Sequence, residues 1–123
     1  MNDRVITDIT DAIATVTLDM PDTRNAISDP GLCHGLIEAF EAISANHAVR
    51  CVILTGAGEK AFCAGGDLKE RNGMTDGQWQ EQHAIFEQVV TTMMDVPPPI
   101  IAAVNGVAYA GGCEFVLLSD FAY

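Results

Sequence analysis

Positive charge is scarce in this chain. Six Lys and Arg residues stand against seventeen Asp and Glu in 123 residues, a formal net charge of -11. Such a balance repels phosphate backbones and acidic headgroups, which argues against general nucleic-acid or acidic-membrane binding. Long apolar runs are missing as well. Each is broken by Asn, Gly or Pro, so no segment reaches the length of a membrane span. The N-terminus, MNDRVITDIT, has neither the apolar core of a secretory signal nor the Arg- and Ser-rich character of a transit peptide. A cytoplasmic protein is expected. Cys33, Cys51, Cys63 and Cys113 form no CxxC or Cys/His metal spacing, and each sits in an apolar or tightly turned context. Buried free thiols are the expectation for all four. HExxH and GxSxG motifs are absent, His34, His47 and His83 are isolated, and there is no internal repeat or low-complexity linker.

What is present is a chain 49% hydrophobic and 19% charged, enough for one globular domain with a single core. Between Ala12 and Asp19, Ala14, Val16 and Leu18 alternate with Thr15, Thr17 and Asp19, the mark of a half-buried strand that Pro21 ends. Ser28 can cap a helix whose apolar stripe is Cys33, Leu36, Ile37, Phe40 and Ile43. Val49 to Thr55, rich in β-branched residues, reads as a more buried strand. Thr75 with Gln78 matches a capping box, and behind it Trp79, Gln82/His83, Phe86, Val89/Val90 and Met93/Met94 recur at helical spacing as a core face. Three prolines, Pro97 to Pro99, end that helix and launch a fully buried strand at Ile100. Phe121 to Tyr123 begins another. The order implies an α/β fold.

Two glycine-rich stretches each follow a buried strand. Gly56 to Asp67 (GAGEKAFCAGGD) formally contains the GxGxxG/A dinucleotide fingerprint, but the fingerprint requires a helix to start inside it. Here poor helix sequence follows and the loop continues, so NAD binding is rejected. The second stretch runs from Asn105-Gly106 to Gly111-Gly112 and feeds an apolar helix carrying one carboxylate, Glu114. The first N–H groups of such a helix are unsatisfied and can hold an anionic oxygen. Glu114 lies three residues after Gly111, on the same helical face at about 5–6 Å. The pair could serve an oxyanion and a proton transfer, or Glu114 could merely answer the helix dipole while the glycines allow tight packing. Arg24, Lys60, Lys69 and Arg71 flank these loops, so local anion binding and scattered solvated charge both remain open.

The segments Asn25-Ala26, Ala61 to Glu70 (AFCAGGDLKE), Ile101 to Gly106 (IAAVNG) and Gly111 to Glu114 (GGCE) closely resemble the enoyl-CoA hydratase/isomerase (crotonase) family, in order and spacing. The resemblance runs from about Ala12 to Tyr123. It implies a spiral of ββα units, a homotrimer or hexamer, and an acyl-CoA thioester as substrate. It implies no metal or redox cofactor, because CoA is part of the substrate. By position, the N–H groups of Ala64 and Gly111 resemble the family's oxyanion hole, and Glu114 matches the first of two catalytic glutamates. Ala64, Gly65, Gly66, Asp67 and Leu68 resemble the acyl-CoA-binding loop, and Arg24 and Ala26 lie where the nucleotide part of CoA is often contacted. Ala110 stands where many members have a third glycine. Family chains are about twice this length, so residues 1–123 are expected to be the N-terminal half of a single domain. A hydratase that adds water to a 2-enoyl-CoA is the expected activity. An isomerase or another family reaction, or a catalytically silent acyl-CoA-binding fragment, is the alternative.

Overall fold

A computed structural model describes residues 3–66 and 68–123. The chain opens with a hairpin of β1 (Val5–Thr10) and β2 (Ile13–Leu18), paired antiparallel from Val5 opposite Leu18 to Thr10 opposite Ile13. The strand β1 was not anticipated. Its two-residue turn needs positive φ at both central positions, and Asp11 and Ala12 supply 52° and 68° without the glycine that normally advertises such a turn. Then come α1 (Pro30–Ala45), β3 (Cys51–Gly56), β4 (Ala61–Cys63), α2 (Leu68–Asn72), α3 (Asp76–Met94), β5 (Ile100–Ala103), β6 (Val107–Ala108), α4 (Gly111–Leu118) and β7 (Phe121–Ala122). The strands form a five-stranded sheet in the order β1-β2-β3-β5-β7, parallel from β2 onward, and a two-stranded parallel sheet of β4 and β6.

Period-two burial decides which face of the large sheet is inside. Ala14, Val16, Leu18, Val52, Leu54, Ile100 and Ala102 are buried, while Thr15, Thr17, Ile53 and Ile101 on the opposite face are half-buried. The strand at Ile100 therefore alternates rather than being buried on both sides. Helix α1 packs on α3, and its stripe of Leu32, Cys33, Leu36, Ile37, Phe40 and Ile43 enters the core. Phe40 of α1, Phe62 of β4 and Phe115 of α4 are fully buried, which joins the small sheet and α4 to the same core. Burial of each such side chain favours folding by about 1.5–3 kcal/mol.

Three expectations are corrected here. The cap of α1 is Asp29 rather than Ser28: Pro30 sets the first helical position, and the Gly31 N–H donates to Asp29 Oδ1 at 2.7 Å. The capping box of Thr75 and Gln78 on α3 is as expected, but the N-terminal half of its apolar stripe is not core. Trp79 and His83 are exposed, their rings stacked at 4.8 Å, and His83 Nε2 lies 3.0 Å from Glu87 Oε1. Burial on α3 is confined to Val89 and Met93 near its end, with Gln82, Ile85, Phe86, Val90 and Thr92 partly covered. The thiols also divide: Cys33 and Cys63 are buried, Cys51 is half-buried and Cys113 is exposed. Among the described residues no helix is long and apolar enough to cross a membrane.

Candidate active site

Two asparagine-anchored turns, one at the buried Asn25 and one at the exposed Asn105, bring the glycine-rich loops together. Asn25 takes a left-handed φ of 56°, as Arg24 does at 55°, a conformation Asn tolerates better than most residues. Its side chain is wholly buried, so every polar atom needs a partner. Asn25 Oδ1 accepts from Met20 N at 2.8 Å, and Nδ2 donates to the carbonyls of Ala57, Ala61 and Phe62 at 3.2, 3.2 and 3.1 Å. Asn105 grips the same loop from the other side. Its Oδ1 accepts from Gly56 N at 3.0 Å, and its Nδ2 donates to the carbonyls of Gly58 and Ala61 at 3.0 and 3.1 Å. With these bonds the stretch after β3 runs on into β4, with no helix opening inside it, which removes the context a dinucleotide fingerprint needs.

Beyond β4 the chain reaches Gly65, whose φ of 80° lies in the left-handed region. A Cβ there would come 2.7 Å from the Tyr109 carbonyl, 3.1 Å from Ala110 Cβ and 3.4 Å from Gly111 N. The first glycine loop thus rests directly on the peptide that opens α4. Gly112 makes the approach closer still, since a Cβ on it would fall into the Cys63 carbonyl. Gly111 is the first residue of α4, so its N–H has no acceptor within the helix. Among the described residues neither Gly111 N nor Gly66 N has a hydrogen-bond partner.

The structure corrects the placement of one donor. The N–H of Ala64 is spent on the Arg24 carbonyl at 3.0 Å, which ties the first loop to the turn at Arg24, so it is not available to a ligand oxygen. The unspent donor of this loop lies two residues on, at Gly66. Gly65 contributes shape and accepts from Ile27 N at 2.9 Å through its carbonyl. Glu114 is exposed in the first turn of α4, and its carboxylate has no hydrogen-bond or ion-pair partner among the described residues. Asp67 and the side chain of Leu68 lie outside the described residues.

Arg24, Ala26, Ala64, Gly66 and Lys69 line one open cleft of about 590 Å³, together with Asp22 and Thr23. A neighbouring cleft of about 450 Å³ has Arg24 and Lys60 in its wall. Three of the six basic residues of an acidic chain therefore face two adjoining hollows beside the glycine loops. Two buried thiols brace the turn from below: Cys63 Sγ donates to the Asn25 carbonyl at 3.1 Å and Cys33 Sγ to the Ile27 carbonyl at 3.5 Å. Burial pushes the Cys63 thiol up to about 11 and the Cys33 thiol to about 12. Both are protonated at neutral pH and serve as small hydrogen-bonding wedges rather than nucleophiles. No group of three or more His, Cys, Asp or Glu among the described residues could hold a metal ion.

Sequence reasoning missed the two asparagine clamps. Asn105 registered as a break in an apolar run and Asn25 as half of a motif, and neither position signals locally that its side chain will reach a loop about 30 to 50 residues away.

A sequence model of the enoyl-CoA hydratase/isomerase family matches residues 8–123. The chain is 43% identical over 108 residues to YngF of Bacillus subtilis (strain 168), an enoyl-CoA hydratase/isomerase by name, covering 88% of this chain and 41% of that protein. It is 35% identical over 112 residues to the mitochondrial enoyl-CoA hydratase of Pongo abelii, covering 90% of this chain and 37% of that one. The crystal structure of an enoyl-CoA hydratase from Bacillus anthracis superposes with a TM-score of 0.91 at 37% identity, covering 97% of this chain and 46% of that chain. The chain spans less than half the length of these relatives.

Proposed function

The chain belongs to the enoyl-CoA hydratase/isomerase family, and on that premise we propose that it supplies the oxyanion hole and one catalytic carboxylate of an enzyme that reversibly adds water to a 2-enoyl-CoA. The observation that carries this reading is the meeting of the two glycine loops, with Gly65 packed on the Ala110–Gly111 peptide and the N–H groups of Gly66 and Gly111 unspent. Two backbone donors aimed at one oxygen stabilise the charge that develops on a thioester carbonyl as it becomes an enolate, an effect worth about 10²–10³ in rate per donor. Water adds at C3 of the double bond, electron density moves onto the thioester oxygen, and the enolate then takes a proton at C2. Glu114, one helical turn from Gly111 and without a partner among the described residues, accepts the proton of the attacking water in this reading. Arg24, Lys60 and Lys69 give the phosphates of CoA a cationic bed in an otherwise acidic protein.

Isomerisation of the double bond is the second reading, favoured by the hydratase/isomerase names of the family and of YngF. It would use the same oxyanion hole with Glu114 moving a proton between carbons. Crotonyl-CoA hydration, followed in the complete protein by loss of the enoyl-thioester absorbance, tests the first reading. Turnover of a 3-enoyl-CoA with no hydration of crotonyl-CoA would replace it with the second.

A further inference from the structure

Ala110 holds a backbone conformation that suits glycine. Its φ of 47° and ψ of -113° match the first central residue of a type II′ turn, about 60° and -120°, where glycine is the usual occupant. The turn runs from Tyr109 to Gly112, closed by the Gly112 N–H donating to the Tyr109 carbonyl at 2.8 Å. A Cβ at this positive φ crowds the neighbouring backbone, so alanine costs stability here that glycine would not. No core packing offsets that cost, because Ala110 is exposed. Its methyl instead meets the other donor loop. A Cβ on Gly65 would come 3.1 Å from Ala110 Cβ, so the two loops touch at these residues.

The seam lies one residue before each unspent donor. Gly65 precedes Gly66 and Ala110 precedes Gly111, so the spacing at the seam sets the spacing of the two N–H groups. The Ala110–Gly111 peptide also ties its donor to Glu114. Its carbonyl accepts from the Glu114 N–H at 2.9 Å, and in a trans peptide the Gly111 N–H points the opposite way. A tilt of this one plane therefore moves the donor and the backbone of Glu114 together. We propose, resting on the acyl-CoA reading above, that the Ala110 methyl is a positioning group for the oxyanion hole. It acts as a spacer that keeps the Gly66 and Gly111 donors at a separation one thioester oxygen can bridge. Ala110→Gly would keep the turn but leave the seam unfilled and the peptide free to tilt.

The test compares the parent, Ala110→Gly and Ala110→Ser in the complete protein. In Ala110→Gly, relief of strain at positive φ outweighs the chain entropy gained by the unfolded state, so the melting temperature is expected to rise. The kcat for crotonyl-CoA hydration is expected to fall about 10-fold with KM nearly unchanged, since a displaced donor weakens the enolate more than the bound thioester. Ala110→Ser keeps a Cβ at the seam and is expected to retain the parent kcat. A parent-like kcat in Ala110→Gly overturns the proposal. So does an equal loss in Ala110→Ser, or a melting temperature of Ala110→Gly that falls with its activity. A binding arm separates this proposal from the hydration reading. Acetoacetyl-CoA, which cannot be hydrated and whose enolate absorbs in the near ultraviolet, is bound to the parent and to Ala110→Gly across a pH series. The pH midpoint of enolate formation is expected to lie about one unit higher in Ala110→Gly, the same tenfold. That shift supports the spacer even if neither protein hydrates crotonyl-CoA. Equal midpoints overturn the proposal alone, and no binding of acetoacetyl-CoA overturns it together with the acyl-CoA reading.

Discussion

Glu114 is the single carboxylate of α4, in a first turn where a negative charge would be welcome for electrostatic reasons alone. Glu114→Gln separates the two roles, because glutamine keeps the shape and one acceptor oxygen but cannot take a proton. If Glu114 moves the proton of water, crotonyl-CoA hydration falls by about 10²–10⁴ while affinity for a saturated acyl-CoA holds. If it only answers the helix dipole, turnover stays and the melting temperature drops by the equivalent of about 0.3–1 kcal/mol. Steady-state kinetics and a thermal melt on one variant decide the matter. At this scale the sequence was informative wherever a residue acts through its own position. Gly111 was recognised as a helix-opening donor because the glycine pair precedes an apolar helix. Ala64 was misread because a backbone N–H carries no label of its own, and only the fold reveals that the Arg24 carbonyl has claimed it.

The contact of α4 with β4 sets the spacing of the two donor loops, and two adjacent glycines contribute to it differently. A Cβ on Gly112 would enter the Cys63 carbonyl and come 2.9 Å from Cys63 Cβ, so the obstacle is strand backbone that cannot swing aside. A Cβ on Gly111 would meet Ile27 Cδ1, the far end of a side chain that can change rotamer. Gly112→Ala is therefore expected to cost about 1–3 kcal/mol of stability, as overpacking does, and to lower turnover by moving α4 off β4. Gly111→Ala keeps its N–H and should cost clearly less; a Gly112→Ala melting temperature equal to or above that of Gly111→Ala would contradict this account. The same elements mark what the sequence leaves unread. Strands β2 and β3 carry their own alternation or β-branched signature, whereas β4 and β6 are three and two residues long, and β4 is gripped from outside by Asn25 and Asn105 through the Ala61 carbonyl. The stripe on α3 is a true helical period, yet a period does not say how far a neighbour extends. Cover reaches Val89 and Met93, and Trp79 stays in solvent.

For the molecule as a whole, the two buried thiols tie stability to alkaline pH. Burial is the main cause of both raised values, with the nearby Cys63 sulfur and Asp29 adding to the rise at Cys33, while a backbone hydrogen bond from Gly65 partly offsets the rise at Cys63. In the unfolded chain each thiol loses its proton near its ordinary value of about 9, whereas the native state holds it to about 11 for Cys63 and about 12 for Cys33. Between those limits the native state binds more protons than the unfolded one, so the stability they confer is intact below pH 9 and declines as pH rises. Each thiol contributes a slope of about 1.4 kcal/mol per pH unit across that window. Urea midpoints of the complete protein measured from pH 8 to pH 10.5 should fall increasingly steeply above pH 9. Lysine and tyrosine also titrate there, so the informative comparison is a Cys33→Ala/Cys63→Ala variant, less stable at pH 8 but with a shallower decline. Parallel curves for the two proteins would mean that the thiols ionise in the native state as freely as in the unfolded chain. In that case the turn from Asn25 to Ile27 would not rest on two sealed sulfurs, and the floor of the candidate site would be open to water.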